Sequence, residues 1–282
     1  MNKLYAKSRI KKPIFVIGCS NSGTTILWDA IKSHKGISGP SIEGQDLSGM
    51  PKEMVHWLGN TTFRLWAHHI FSQGEEETPG SNLFYYVNEK NWTSELVSRI
   101  EEVYLCHIKP GTRLCDKSPA HTLRARFLQA CFPDAYFIGI VRDPYASAEG
   151  IRRKRLYDLD RPKFKGLITT IGDAAEQWHN ANRVIKSYGE LNLLERLLVV
   201  KYEDLVRNPE TTLHKVLDFC QLEKQEFPIP SFDKNRNYEQ TDKLSIPELF
   251  EIKKIAKPMI KFWGYNTFFP FLEALDRSRL YE

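Results

Sequence analysis

The stretch that most constrains this chain lies near its start, where Ile14-Phe15-Val16-Ile17 runs into Gly18-Cys19-Ser20-Asn21-Ser22-Gly23-Thr24-Thr25. A short apolar run closed by small residues and followed by Ile26 and Leu27 predicts a buried strand, a tight loop and the first turn of a helix. The spacing G-x-x-x-x-G-T-T is that of a phosphate-binding loop with threonine where the lysine belongs. Backbone N–H groups of such a loop converge on an anion, and the helix N-terminus adds partial positive charge. Ser20, Asn21, Ser22, Gly23, Thr24 and Thr25 are therefore the candidate anion-binding residues, the two threonines as hydroxyl donors. The lysine normally reaches the outer phosphates of a triphosphate, so its absence favours a smaller 5′ anionic group. A Gly/Ser turn with no ligand is the plainer alternative.

Along the rest of the chain, short apolar runs alternate with helical patterns, the signature of an α/β protein. Strands are expected at residues 13–18, 113–115, 135–141 and 197–201. Helices are expected at 24–34, from Pro119 to about 131, from about Pro144, at 209–220 and at 247–262. In residues 209–220, Leu213, Val216, Leu217 and Cys220 share one helical face. The fold expected is P-loop-like and three-layered, with a central, mostly parallel sheet flanked by helices. A single domain over residues 1–282 is expected, with a basic arm at 1–12. The pattern weakens between residues 39 and 111, of which 44–111 read as an insertion carrying the acceptor site. Its aromatics Trp57, Phe63, Trp66, Phe84, Tyr85, Tyr86 and Trp92 suit either an acceptor pocket or that insertion's own core.

Composition narrows the class. With 41% hydrophobic and 27% charged residues, a disordered or fibrous chain is excluded. Neither a run of about 18 apolar residues nor a signal-peptide core is seen, so no membrane partner and a cytoplasmic location are expected. Five cysteines without C-x-x-C spacing read as small buried hydrophobes. The net charge of +5 is compatible with a nucleic acid or with an anionic small ligand. The basic run from Arg152 to Lys165 has only Tyr157 and Phe164 as stacking platforms, so nucleic acid is not the partner expected.

Four further segments occur in an order that resembles the sulfotransferases using 3′-phosphoadenosine 5′-phosphosulfate (PAPS), and the protein-tyrosine and heparan-type branch most. They are Asp116-Lys117-Ser118-Pro119, the strand Ile138-Gly139-Ile140-Val141 with Arg142-Asp143-Pro144, Val200-Lys201-Tyr202-Glu203-Asp204-Leu205, and Phe262-Trp263-Gly264-Tyr265. The resemblance implies PAPS as donor, no metal, and transfer of a sulfuryl group to a hydroxyl or amine by in-line displacement. A small-molecule acceptor is the leading expectation, with a carbohydrate or a protein tyrosine as alternative. A P-loop kinase or NTPase and a basic nucleic-acid binder are the readings from other classes.

The resemblance also assigns roles. Lys117 would contact the sulfuryl group and the bridging oxygen, where a cation stabilises charge on the departing phosphate. Glu43, in the loop after the first helix, would take the acceptor's proton. An ordinary loop acid is the alternative for Glu43, a surface lysine for Lys117, and His121 the strongest rival base. His68-His69 lacks the partners of a metal site. Arg142 would grip the 3′-phosphate, its fork-shaped guanidinium suiting a dianion, with Tyr202 nearby. Two positions depart from the pattern. Asn21 stands where relatives carry a basic residue, and Gly150 where they place a serine on the 3′-phosphate; Ser147, one turn earlier, is the candidate substitute. Residues 234–243 could close over the nucleotide or form a plain surface loop.

Overall fold

The computed structural model describes residues 8–55, 88–157, 170–226 and 235–266. Five strands form one sheet: β1 (Ile14–Gly18), β2 (Ile37–Ser38), β3 (Arg113–Lys117), β4 (Tyr136–Val141) and β5 (Leu197–Lys201). Their order is β2-β3-β1-β4-β5 and every pairing is parallel. The expected mostly parallel sheet is thus entirely parallel. The chain leaves β1 for one edge, returns, and crosses to the other side, so β1 is flanked by strands reached in opposite directions. Ligands of open α/β sheets bind at the carboxyl ends of the strands beside such a reversal.

Residues of β1 and β4 alternate between two apolar layers, as the period of a strand requires. Phe15, Ile17, Phe137 and Val141 face one core. It is closed by α3 (Ser94–Leu105), α4 (His121–Cys131), α5 (Pro144–Tyr157), α6 (Ile171–Glu190) and α10 (Ile246–Phe262). Ile14, Val16, Ile138 and Ile140 face the other, closed by α1 (Thr24–Lys32), α7 (Tyr202–Arg207) and α8 (Pro209–Phe219). Among the described residues two short helices complete the set, α2 (Lys52–Val55) and α9 (Asn237–Thr241). Phe15 sits at the centre of the first core, against Tyr104, His121, Phe132 and Phe137.

The helix expected from Pro119 begins at His121, because the Ser118 hydroxyl and carbonyl take the N–H groups of Ala120 and His121 in a preceding turn. The 20-residue α6 has no counterpart among the sequence expectations. Its start was nevertheless written as Thr170-x-x-Asp173, a reciprocal cap in which each side chain accepts from the other's backbone N–H at 3.0 Å. Four cysteines are buried as expected, but Cys106, the residue that caps the end of α3, is exposed. Among the described residues no helix is long and apolar enough to cross a membrane.

Candidate active site

The carboxyl ends of β1, β3, β4 and β5 all deliver side chains to one edge of the sheet. The loop after β1 is shaped by contacts that leave no room for larger residues. A Cβ on Gly18 would stand 2.7 Å from the Ile140 carbonyl oxygen, and one on Gly23 would stand 2.6 Å from the Tyr202 ring. Gly23 caps α1 at φ 92°, a left-handed conformation that glycine adopts without steric cost. Asn21 is left-handed as well, at φ 63°, one of few residue types that tolerate it. Thr122 fastens the entry to the loop, its hydroxyl accepting from Gly18 N and donating to Gly18 O. Ser20 Oγ accepts from Gln177 of α6 at 3.2 Å. Thr24 is buried and Thr25 exposed at the first turn of α1.

Arg142 leaves the end of β4 and folds back over this loop. Its Nη1 donates to Asn21 O at 2.9 Å, its Nε donates to Asn237 Oδ1 at 2.8 Å, and its guanidinium lies 4.1 Å from the Tyr202 ring. Burial pushes the guanidinium below its ordinary value, opposed by Tyr202 and Glu203, and an arginine remains protonated through such a shift. Glu203 organises the surroundings by accepting from Asp143 N, Asn237 Nδ2 and the Tyr265 hydroxyl. Burial, then the charges of Glu203 and Asp143, hold the Tyr265 phenol well above its usual range, so it stays a donor.

Lys117 ends β3 in register with Val16 of β1, which sets it beside the phosphate-type loop. Its side chain is 6% exposed, yet its Nζ reaches Glu43 Oε1 at 2.5 Å. Trp28 of α1 lies under it, 5.7 Å from ring centre to Nζ. The other Glu43 oxygen accepts from Gln45 Nε2 at 2.8 Å. The preceding residue of β3 holds the Glu43 loop in place. The fully buried Asp116 carboxylate accepts from Gly44 N at 2.9 Å, the Tyr104 hydroxyl at 2.7 Å and His121 Nε2 at 2.8 Å. His121, the rival base, is therefore enclosed in the core on Asp116 rather than turned toward the loop.

Gln45, Trp28, Asp116, Tyr104, Gln177, Glu203 and Asn237 had not been singled out. The adjacency of Asp116 to Lys117 was a signal for one of them, since neighbours in a strand point to opposite faces and a carboxylate turned into the core needs partners. Asn237 shows that the segment after residue 234 reaches the site through α9. Arg152 does not, being paired with Glu149 and Glu248. Trp92 packs against the first core. Trp57, Phe63, Trp66, Phe84, Tyr85, Tyr86, His68, His69, Arg161, Lys163, Phe164, Lys165 and Lys234 lie outside the described residues.

Four polar atoms of this edge that can donate are sealed from solvent without a partner among the described residues, Asn21 Nδ2, Ser22 Oγ, Arg142 Nη2 and Ser147 Oγ, beside two acceptor oxygens, Gln45 Oε1 and Gln177 Oε1. A buried donor left unsatisfied costs about 1–3 kcal/mol. Gathered around one glycine-shaped loop, at a helix N-terminus and beside a guanidinium, the four donors fit an anion with more than one charged group. Among the described residues no group of three or more His, Cys, Asp and Glu is set to hold a metal ion.

A glycine-shaped loop after the first strand, an arginine at the end of the fourth and a lysine–carboxylate pair between them sit at one end of an all-parallel α/β sheet, the architecture of an α/β group-transfer protein. Residues 13–226 match the model of the sulfotransferase family, and the chain belongs to that family. It is 24% identical over 226 residues to a protein-tyrosine sulfotransferase of Drosophila melanogaster, covering 78% of this chain and 40% of the fly protein. It is 27% identical over 239 residues to protein-tyrosine sulfotransferase A of Caenorhabditis elegans, covering 80% of this chain and 52% of the worm protein. The omega-hydroxy-beta-dihydromenaquinone-9 sulfotransferase Stf3 of Mycobacterium tuberculosis is 29% identical over 144 residues, 49% of this chain and 36% of Stf3. The chain thus spans about half or less of the length of these relatives. The fold is that of the sulfotransferase domain from the Synechococcus PCC 7002 olefin synthase, with a TM-score of 0.53 over 94% of this chain and 99% of that domain at 20% identity.

Proposed function

We propose that the chain transfers a sulfuryl group from PAPS to a hydroxyl, with a tyrosyl phenol as the acceptor class. The observation that carries this reading is the direct contact of Lys117 with Glu43 beside a loop of unpartnered donors. PAPS, when bound, supplies an already activated sulfuryl group, so positioning and charge stabilisation are what the protein must add. The 18–25 loop and the first turn of α1 would hold the 5′ end through backbone N–H groups and the hydroxyls of Ser22, Thr24 and Thr25. Arg142, stacked on Tyr202, would hold the 3′-phosphate, with Ser147 on the adjoining helix.

Glu43 would accept the acceptor's proton on a carboxylate oxygen, its loop kept in place by Asp116 through Gly44 N. Lys117 Nζ would then turn its N–H groups to the oxygen that gains charge as the sulfuryl group departs. A phenol, whose ordinary pKa is about 10, gives up its proton to a positioned carboxylate more readily than an aliphatic alcohol does. Likeness to the two protein-tyrosine sulfotransferases over more than three quarters of this chain supports that acceptor. The small-molecule acceptor first expected keeps one specific support, the 29% identity to Stf3.

Labelled PAPS offered with tyrosine-containing peptides, and in parallel with small phenols and alcohols, tests the reading. Label on peptide tyrosine, lost in Glu43→Gln, is the expected result. Label only on small acceptors overturns the acceptor class, and no transfer with no binding of adenosine 3′,5′-bisphosphate overturns the function.

A further inference from the structure

Gly150 lies in α5, two turns past Arg142, and its surroundings explain why it is a glycine. A Cβ placed there would stand 3.1 Å from Asn21 Cβ, 3.2 Å from Asn21 Cγ and 3.0 Å from the Gln240 side-chain amide. Gln240 is not free to retreat: with its amide oriented to satisfy both ends, it donates to Ala146 O and accepts from Arg153 at 3.3 Å. The space above Gly150 is therefore filled by the asparagine of the anion-binding loop. Asn21 is held from the other side too, since its carbonyl accepts from Arg142 Nη1. That leaves two donors with no partner among the described residues, Asn21 Nδ2 and Arg142 Nη2, on two residues joined through the Asn21 main-chain carbonyl.

We infer that Asn21 and Gly150 form one coupled specificity device, in which the Asn21 amide, seated over Gly150, joins Arg142 in gripping the 3′-phosphate of the nucleotide. The inference rests on the proposed nucleotide donor and adds which residue discriminates a 3′-phosphorylated nucleotide from one without that group. The left-handed backbone of Asn21 is part of the device, because it directs the side chain toward α5 in a conformation that longer residues rarely adopt.

Calorimetric binding of adenosine 3′,5′-bisphosphate and adenosine 5′-monophosphate separates the claims without any turnover. Wild-type protein is expected to prefer the bisphosphate. Asn21→Gly, relaxed at positive φ, should lose about tenfold or more in bisphosphate affinity, the size of one charge-assisted hydrogen bond, with little change for the monophosphate. Gly150→Ser alone should lose a similar factor by displacing Asn21. The double variant Asn21→Gly/Gly150→Ser should recover much of the preference, because the serine hydroxyl then has room. A wild-type protein that does not prefer the bisphosphate overturns the donor reading itself. A wild-type preference that survives Asn21→Gly, or single losses that simply add in the double variant, overturns the coupling alone. Unchanged melting temperatures of the variants keep these outcomes from being confused with misfolding.

Discussion

Lys117 and Glu43 hold each other across the gap between β3 and the loop after β2. Glu43→Gln is expected to fold normally and to lower kcat by about 10²–10⁴, the usual size of a general-base contribution. Lys117→Ala should lower kcat as strongly while leaving nucleotide affinity less affected; steady-state kinetics with PAPS checks both, and near-normal rates would remove the assigned roles. Asp116 is of another kind, a buried carboxylate with three donors, so Asp116→Ala should cost about 3–5 kcal/mol in denaturant unfolding by stranding its partners. The position of Arg142 was legible because it follows the apolar strand β4, whereas Lys117, the last residue of the mixed strand β3, was picked out by the family resemblance of Asp116-Lys117-Ser118-Pro119. The roles of Asp116, Gln45 and Glu203 were not legible, since they depend on partners far along the chain or on the opposite face of the sheet.

Elements carry their own expectations. Helix α10 opens with a reciprocal cap between Ser245 and Glu248, and Glu248 also pairs with Arg152. Burial alone would raise the Glu248 carboxyl, but the Ser245 N–H and hydroxyl and the Arg152 charge bring it below its ordinary value of 4.5. A depressed carboxyl contributes stability that is present above 4.5 and is lost as pH falls through its folded value. Thermal melts of wild type and Glu248→Gln should therefore differ at neutral pH and converge in acid. Glycine also matters where the chain leaves β2 alongside β3: a Cβ on Gly39 would stand 2.1 Å from the Cys115 carbonyl oxygen. Gly39→Ala should destabilise by about 1–3 kcal/mol, measured by denaturant midpoint, and should disturb Glu43 four residues on. The strands were legible from short apolar runs with sharp ends. Helix α6 was missed because small residues such as Ala174, Ala175 and Ala181 dilute its apolar stripe, although Trp178 and Tyr188 on it are buried.

At the scale of the molecule, the proposed nucleotide would link to the fold through the edge where four strands end. Adenosine 3′,5′-bisphosphate at a hundred times its Kd should stabilise the protein by about 2.7 kcal/mol. A differential scanning melt is expected to rise with the bisphosphate and to stay near its unliganded value with ATP. The all-parallel sheet has a consequence for biosynthesis. Its middle strand is made first, yet its neighbours arrive only with residues 113–117 and 136–141, and the ring that moulds Gly23 comes later still, with Tyr202. The nascent chain therefore carries the loop long before anything shapes it. A ribosome-bound fragment halted before residue 202 should contain every glycine and threonine of that loop and still be unable to retain the nucleotide.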